Sequence, residues 1–426
     1  MTYLIMFGVF FVLLLLGAPI ALSLGLSSLL AVLYNGTSLT VVTSNIYSGI
    51  AKYLLLSVPF FILSGNIMAR AGISERLIAF VDALFGHLRG GIAVVCVVVA
   101  CFFGAISGSG AATVAALGVI LIPAMIEREK FDAPFATGIV ASASSIAIII
   151  PPSISFVIYA SITGVSVGNM FVAGILPGII MGLALILVVE WKAKKDHLVP
   201  AHAWAGWHEV WRTFKGAFWG FLMPVIILGG IYGGIFTPTE AAAVAVVYGL
   251  FVGIVIYRQL SWKDLKFIFY DTAKSTGGLM LIVGAATIFS YACTKYGISS
   301  GVQGLLESGN KYVFLLISNV VFLIAGCFVD ANSAMYIFIP IMAPVAQAYG
   351  IDLIHFGMIS TVNLAIGQFT PPVGMNLFVA SGMRLKGHEV SVEQLSKAVV
   401  PMILAGIVVL LLITYVPQIT MCLIGG

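Results

Sequence analysis

The sequence predicts an all-α polytopic membrane protein, an inverted repeat in which each half has five membrane crossings and one re-entrant hairpin. Three observations predict it. Of the 426 residues, 61% are hydrophobic and only 8% charged, against about 25% charged in a soluble domain. Second, two pairs of apolar arms flank short polar tips. Third, the same order of small motifs occurs twice along the chain.

The first tip is Ala105-Ile106-Ser107-Gly108-Ser109-Gly110-Ala111-Ala112-Thr113, between apolar arms covering Gly91–Phe103 and Val114–Met125. Each arm falls short of the roughly 20 residues of a full crossing. Irregular backbone at membrane depth survives only where protein packs it or a polar cavity wets it. Two short arms and a Ser/Gly tip therefore predict a hairpin that enters and leaves by one face.

The elements follow in order. Helices are expected over Tyr3–Leu16 and Ile20–Tyr34, hinged at Gly17-Ala18-Pro19. A polar stretch Asn35–Ser48 comes next, then a helix at Tyr53–Ala69. Ala71–Leu88 carries Glu75, Arg76 and Asp82 on one side and belongs in the membrane interface. The hairpin occupies 90–126. A long helix over 133–160 is broken at Pro151-Pro152, and Gly168–Val189 completes a first repeat of residues 1–190. A cytoplasmic linker, 191–215, leads to the second repeat, 216–426. There, helices at Phe218–Gly234 and Thr239–Tyr257 meet at Thr237-Pro238. A basic stretch with Lys263, Lys266 and Lys274 precedes a helix at Gly277–Thr294, and Gly297–Gly309 is amphipathic. A second hairpin, 312–348, turns at Val329-Asp330-Ala331-Asn332-Ser333. A helix over 356–382 breaks at Pro371-Pro372, and Leu395–Tyr415 ends the chain.

Matched motifs support the repeat. Ile122-Pro123 pairs with Ile339-Pro340, Pro151-Pro152 with Pro371-Pro372, and Val165-Ser166-Val167 with Val390-Ser391-Val392. An odd number of crossings per half inverts the second. With the linker inside, all of the 20 Lys and Arg except Lys52, Lys295 and Lys311 fall on the cytoplasmic side. The positive-inside rule selects that placement and puts both termini in the periplasm. No basic n-region precedes the first apolar run, so no cleavable signal peptide is expected. The five cysteines lie scattered in apolar runs without a C-x-x-C, as small packing residues rather than disulfides or metal ligands.

Inverted repeats with paired discontinuous elements are the mark of secondary transporters. Half-helices ending at mid-membrane aim N–H groups at anions and carbonyls at cations. The tips add oxygens from Ser107, Ser109, Asp330, Asn332 and Ser333. The breaks add Ser153, Ser155, Thr370, Gly374 and Asn376. Plainer readings stand beside these. Small residues also serve close helix packing. Asp330 also suits an N-cap, although an acid at that depth is costly and usually functional. Thr237-Pro238-Thr239-Glu240 suits a capping box, so Glu240 reads as structural or functional. An enzyme is disfavoured, because H-E-x-x-H does not occur. No feature suggests nucleic acid.

The run Gly229-Gly230-Ile231-Tyr232-Gly233-Gly234-Ile235-Phe236-Thr237-Pro238-Thr239-Glu240-Ala241-Ala242 resembles the large membrane subunit of TRAP (tripartite ATP-independent periplasmic) transporters. GAISGSGAATVAA from Gly104 and FTPPVGMN from Phe369 resemble the same family, over essentially the whole chain. The resemblance implies Na⁺-coupled uptake across the bacterial inner membrane by an elevator movement, with a scaffold and a mobile transport domain. It also implies a small membrane subunit, expected here as a separate chain, and a periplasmic binding protein that delivers a carboxylate, either sialic acid (the branch it leans towards) or a C4-dicarboxylate. A stand-alone ion-coupled anion exchanger of the same architecture is the competing reading. Two Na⁺ sites are expected, with many main-chain carbonyl ligands. Ser107, Ser109 and Ser153 belong to one, and Asp330, Asn332, Ser333 and Thr370 to the other. No Lys or Arg falls on either tip. The anion is therefore expected between the tips, at Gly108, Gly110, Ala111, Ser155, Gly374 and Asn376. There, helix N-termini and bound Na⁺ supply the positive potential. Each hairpin guards one face, so tips and breaks are expected to travel together against a scaffold of the first helices of each half and the two interfacial segments.

Overall fold

The computed structural model describes residues 2–200, 202–297, 310–383 and 390–424. Among them the chain is helical throughout, with no strand. Most of the amphipathic segment expected at Gly297–Gly309 lies outside the described residues.

The helices are α1 Thr2–Leu15, α2 Ile20–Tyr34, α3 Thr40–Ile50, α4 Ser57–Arg70, α5 Ile73–Phe85, α6 Gly91–Ser107, α7 Gly110–Glu129, α8 Ala133–Ser144, α9 Ile154–Thr163 and α10 Val167–Lys195. After the linker come α11 Trp207–Tyr232, α12 Pro238–Phe251, α13 Trp262–Lys295, α14 Lys311–Phe328, α15 Ala331–Ala348, α16 Leu353–Gly367, α17 Met375–Ser381, α18 Val392–Ala398, α19 Val400–Tyr415 and α20 Gln418–Met421. Seven described helices are long and apolar enough to cross a membrane. An eighth arises if α18 and α19, bent by 50° at their junction, form one span.

Several boundaries differ from the sequence reading, each for a local reason. Part of the polar stretch after α2 is helical as α3, where hydroxyls such as that of Thr43 find partners on the helix's own carbonyls. The linker shrinks to 196–206, because α10 runs on through Lys192, Lys194 and Lys195 and α11 starts at Trp207. Cations in a last turn suit the negative end of the helix dipole. The basic stretch before residue 277 is the opening of α13, a single 34-residue helix started by a capping box of Ser261 and Asp264. Thr237 and Glu240 form the capping box expected of them at the start of α12, with Pro238 in its first turn.

Packing divides the molecule into two bodies. Helices α1 to α4 pack around α12 and α13, with α5 lying on α11. The hairpins and broken helices form the other body: α7, α8 and α17 pack together, as do α9 with α15, α14 with α16, and α10 with α19. The bodies meet chiefly where α4 and α5 touch α6 and where α13 touches α15.

Both hairpins are closed at the base. The buried carboxylate of Glu129, at the end of α7, accepts from the backbone N–H of Ile92 at the start of α6, at 3.0 Å. The arms therefore run side by side and start and finish at one end. This geometry, rather than arm length, defines the hairpin, since α7 has 20 residues, more than the sequence reading allowed. In the second hairpin, Phe314 near the start of α14 stacks on Tyr349 just past α15, with ring centroids 5.4 Å apart.

Candidate functional site

The first tip turns at Gly108, whose left-handed φ of 59° lets α6 end and α7 begin two residues later. A knot of hydroxyls holds the turn. Ser107 Oγ lies 2.9 Å from Thr113 Oγ1, which in turn donates to the Ser109 carbonyl at 2.8 Å. Thr113 is fully buried and was not singled out in the sequence, although it stands four residues after Ser109, one helical turn away.

The second tip is capped by Asp330, which accepts from the Ser333 N–H at 3.1 Å and from the Ser333 hydroxyl. The structural reading of Asp330 is thus realised, and its carboxylate is oriented by the cap.

The two breaks are built alike. The helix α8 and the 3₁₀ turn Ser145–Ile148 stop at Pro151-Pro152; α16 stops just before Pro371-Pro372. Both Pro-Pro bonds are cis. Ser153 Oγ donates to the Ile148 carbonyl at 2.7 Å and Thr370 Oγ1 to the Ile366 carbonyl at 2.7 Å. Both hydroxyls bond back to their own segment. Helices that end at such breaks leave carbonyls without intrahelical donors, so the hard oxygen donors here are largely main-chain.

Tips and breaks also interlock between the halves. Ser155, in the first break, donates to Asn332 Oδ1 of the second tip at 2.9 Å. In the reverse direction, Gly110 of the first tip lies against the second break. A Cβ there would stand 2.5 Å from Gln368 Oε1 and 2.8 Å from Asn376 Oδ1. Both of these oxygens are buried and lack a hydrogen-bond donor, while Asn376 Nδ2 donates to the Ala141 carbonyl at 3.1 Å. Within each half, Gly108 packs on the Pro152 carbonyl, and Gly374 N–H donates to the Cys327 carbonyl at 2.9 Å.

A cavity of about 250 Å³ opens beside the tips. One wall comes from the hairpin body: Phe103, Ser107, Ser109, Ala112, Ile154 and Asn332. The opposite wall comes from α4 and α13, with Asn66, Asp271, Ser275 and Leu279 among its residues. The structure thus brings Ser107, Ser109 and Asn332 to one space and Ser155 within a hydrogen bond of it. Ser153, Asp330, Ser333, Thr370, Gly374 and Asn376 support the tips and breaks without lining it. Gln368, Asn66 and Asp271 were missed by sequence reasoning. An acid inside an apolar helix was the available signal for Asp271, but it sat in what read as a basic lead-in. No Lys or Arg lines the cavity. Among the described residues, no cluster of three or more His, Cys, Asp or Glu could hold a metal.

Residues 7–419 match the family model described as "Tripartite ATP-independent periplasmic transporter, DctM component". The chain is 40% identical to the C4-dicarboxylate TRAP transporter large permease protein DctM of Vibrio cholerae, over 95% of this chain and 93% of that one. It is 41% identical to the isethionate TRAP transporter permease protein DctMQ of Oleidesulfovibrio alaskensis, over 99% of this chain and 66% of that one. It is 35% identical to the sialic acid TRAP transporter large permease protein SiaM of Vibrio cholerae, over 96% and 95%. Among solved structures, the Alcanivorax borkumensis YdaH transporter shares the fold, with a TM-score of 0.60 at 16% identity over 88% of this chain and 87% of that one.

Proposed function

Because the chain belongs to the DctM component of the tripartite ATP-independent periplasmic transporters, we propose that it imports a small organic anion together with Na⁺ as the large subunit of such a system. It is a multi-pass transporter component of the bacterial inner membrane, not an enzyme.

The observation that carries the proposal is a cavity with both hairpin tips on one wall, α4 and α13 on the other, and no basic side chain lining it. An anion held there needs another source of positive potential. Helix N-termini at the tips and cations on the neighbouring carbonyls are the sources available. Na⁺ suits oxygen donors of this kind. Ser107, Ser109 and the carbonyls of the first break would serve one ion, and Asn332 with the carbonyls around Thr370 the other. Cargo affinity then depends on Na⁺, because the cations form part of the anion site. The cargo we favour is a carboxylate. The relative named for C4-dicarboxylate is more similar in sequence than the one named for sialic acid, and the comparably similar relative named for isethionate, a sulfonate, makes a sulfonate the alternative.

The interlocked tips and breaks would move as one body against the scaffold of α1–α5 and α11–α13, an elevator movement that exposes the cavity to each face in turn. A small membrane subunit would extend the scaffold, and a periplasmic binding protein would deliver the cargo. Both termini are assigned to the periplasm by the distribution of basic residues.

Proteoliposomes test this with succinate, isethionate and N-acetylneuraminate as probes. Uptake of at least one is expected only with all three components present and Na⁺ outside. Uptake by this chain alone would make it a stand-alone exchanger. Uptake undiminished when K⁺ replaces Na⁺ would remove the coupling.

A further inference from the structure

The cavity wall contributed by α13 holds one charged group, Asp271. Its setting differs from that of its neighbour Asp264 on α13. Two turns earlier on the same helix face, Asp264 is neutralised by Arg70 at 3.1 Å. Asp271 instead accepts a single hydrogen bond from Asn66 Nδ2 at 3.2 Å, and Asn66 also donates to Thr272 Oγ1 at 3.0 Å. Among the described residues no Lys, Arg or His pairs with it. A negative charge without a counter-ion thus faces Ser107, Ser109 and Asn332 across a space proposed for an anion.

The two walls belong to different bodies. Asn66 and Asp271 sit on α4 and α13, while the tips ride on the hairpins. A charge on the scaffold acts on the cargo only in the end state that brings the tips opposite it. We infer that Asp271 is a release residue, which lowers the cavity's affinity for the anion in this end state and not in the other. The inference rests on the anion-carrier reading above. Its magnitude follows from Coulomb's law. Two unit charges about a Debye length apart, roughly 8 Å in physiological salt, with an effective dielectric of about 20, change affinity about fourfold after screening. The side concerned carries Arg70, Lys263 and Lys266, and is cytoplasmic by the positive-inside rule, where the cargo must leave.

The test uses the full complex in proteoliposomes with the same three probes. Only transporters whose periplasmic face points outward respond to external binding protein, so the lumen is the cytoplasmic side for all that is measured. Lumenal anion inhibits initial uptake by occupying this end state. Asp271→Asn keeps the shape and an acceptor for Asn66. It is expected to lower the half-inhibiting lumenal concentration about fourfold, leave the external KM unchanged and leave the half-saturating Na⁺ concentration no higher. Asp271→Glu should keep the wild-type value. Ser275→Asp, which adds a second charge one turn along the same wall, should raise it about fourfold. Unchanged inhibition in both charge variants, or equal shifts on the two sides, would overturn the assignment. A raised Na⁺ requirement in Asp271→Asn would make Asp271 a cation ligand instead. If the wild-type complex carries none of the three probes, the anion-carrier reading itself fails, and this one with it.

Discussion

Replacing Gly367 by Ala tests how the second hairpin is seated on its broken helix. A Cβ on Gly367 would stand 2.5 Å from Gly326 Cα and 2.6 Å from the Gly326 carbonyl carbon. Both are backbone atoms, and carbon contacts settle at about 3.5–4.0 Å. Helix α14 must therefore retreat from α16 by about 1 Å, and overpacking of this kind costs about 1–3 kcal/mol. The neighbouring Cys327 carbonyl holds the Gly374 N–H of the second break at 2.9 Å, so the retreat also loosens the break. If about 2 kcal/mol falls on the seated hairpin, apparent affinity for cation and cargo drops about thirtyfold, at 1.4 kcal/mol per decade. Na⁺-dependent uptake and thermal unfolding of the purified complex read the two consequences. Gly216→Ala in α11 is the control, since nothing lies within 4 Å of its added Cβ; it should be neutral or slightly stabilising. A Gly367→Ala protein with wild-type unfolding and wild-type Na⁺ affinity would refute the reasoning.

Asp330→Ala removes the cap on α15 and should cost about 0.5–2 kcal/mol. Asp330→Asn keeps a capping oxygen and should unfold like wild type, while its uptake falls steeply if the charge helps hold a cation. Normal uptake in the Asn variant would reduce Asp330 to a cap. His202, in the linker, is held above the ordinary histidine range by the Ala203 carbonyl at 2.8 Å and by Asp82 of α5. Because the folded value is raised, the His202–Asp82 tie is fully present below the ordinary histidine pKa and is lost as pH rises through the raised one. Proteolysis within 202–206 should therefore quicken with rising pH, and Asp82→Asn should abolish that dependence; cleavage independent of pH in both proteins would show that the tie does not hold the linker.

Much of this was legible in the chain because its signals are local. The tips, the Pro-Pro breaks and the Thr237 capping box are each written in a few consecutive residues. Ser155 and Asn332, chosen separately from a break and a tip, are hydrogen-bonded to each other. What stayed hidden depends on tertiary approach. Gln368 looked like an ordinary polar residue before a proline pair until Gly110 was brought against it, and Asn66 and Asp271 acquired a role only when α4 and α13 came opposite the first tip. The hydroxyls of Ser153 and Thr370, expected among the Na⁺ ligands, each donate to a carbonyl of their own segment, a pairing their residue type did not reveal. Side-chain hydroxyls near a helix end compete for such partners, and residue type alone does not say which partner wins.

The exchange of partners between tips and breaks makes the two halves of the chain complements of one another. Asn332 is seated by Ser155 from the first half, and Gly110 is backed by Gln368 and Asn376 from the second. A half synthesised alone would keep the contacts between its own tip and break yet lack the partner that the other half supplies. The stretch that joins them, between α10 and α11, contributes no residue to those seats. The chain is two interdigitated halves that happen to share one polypeptide, and mutual fit, not continuity, is what makes them one carrier.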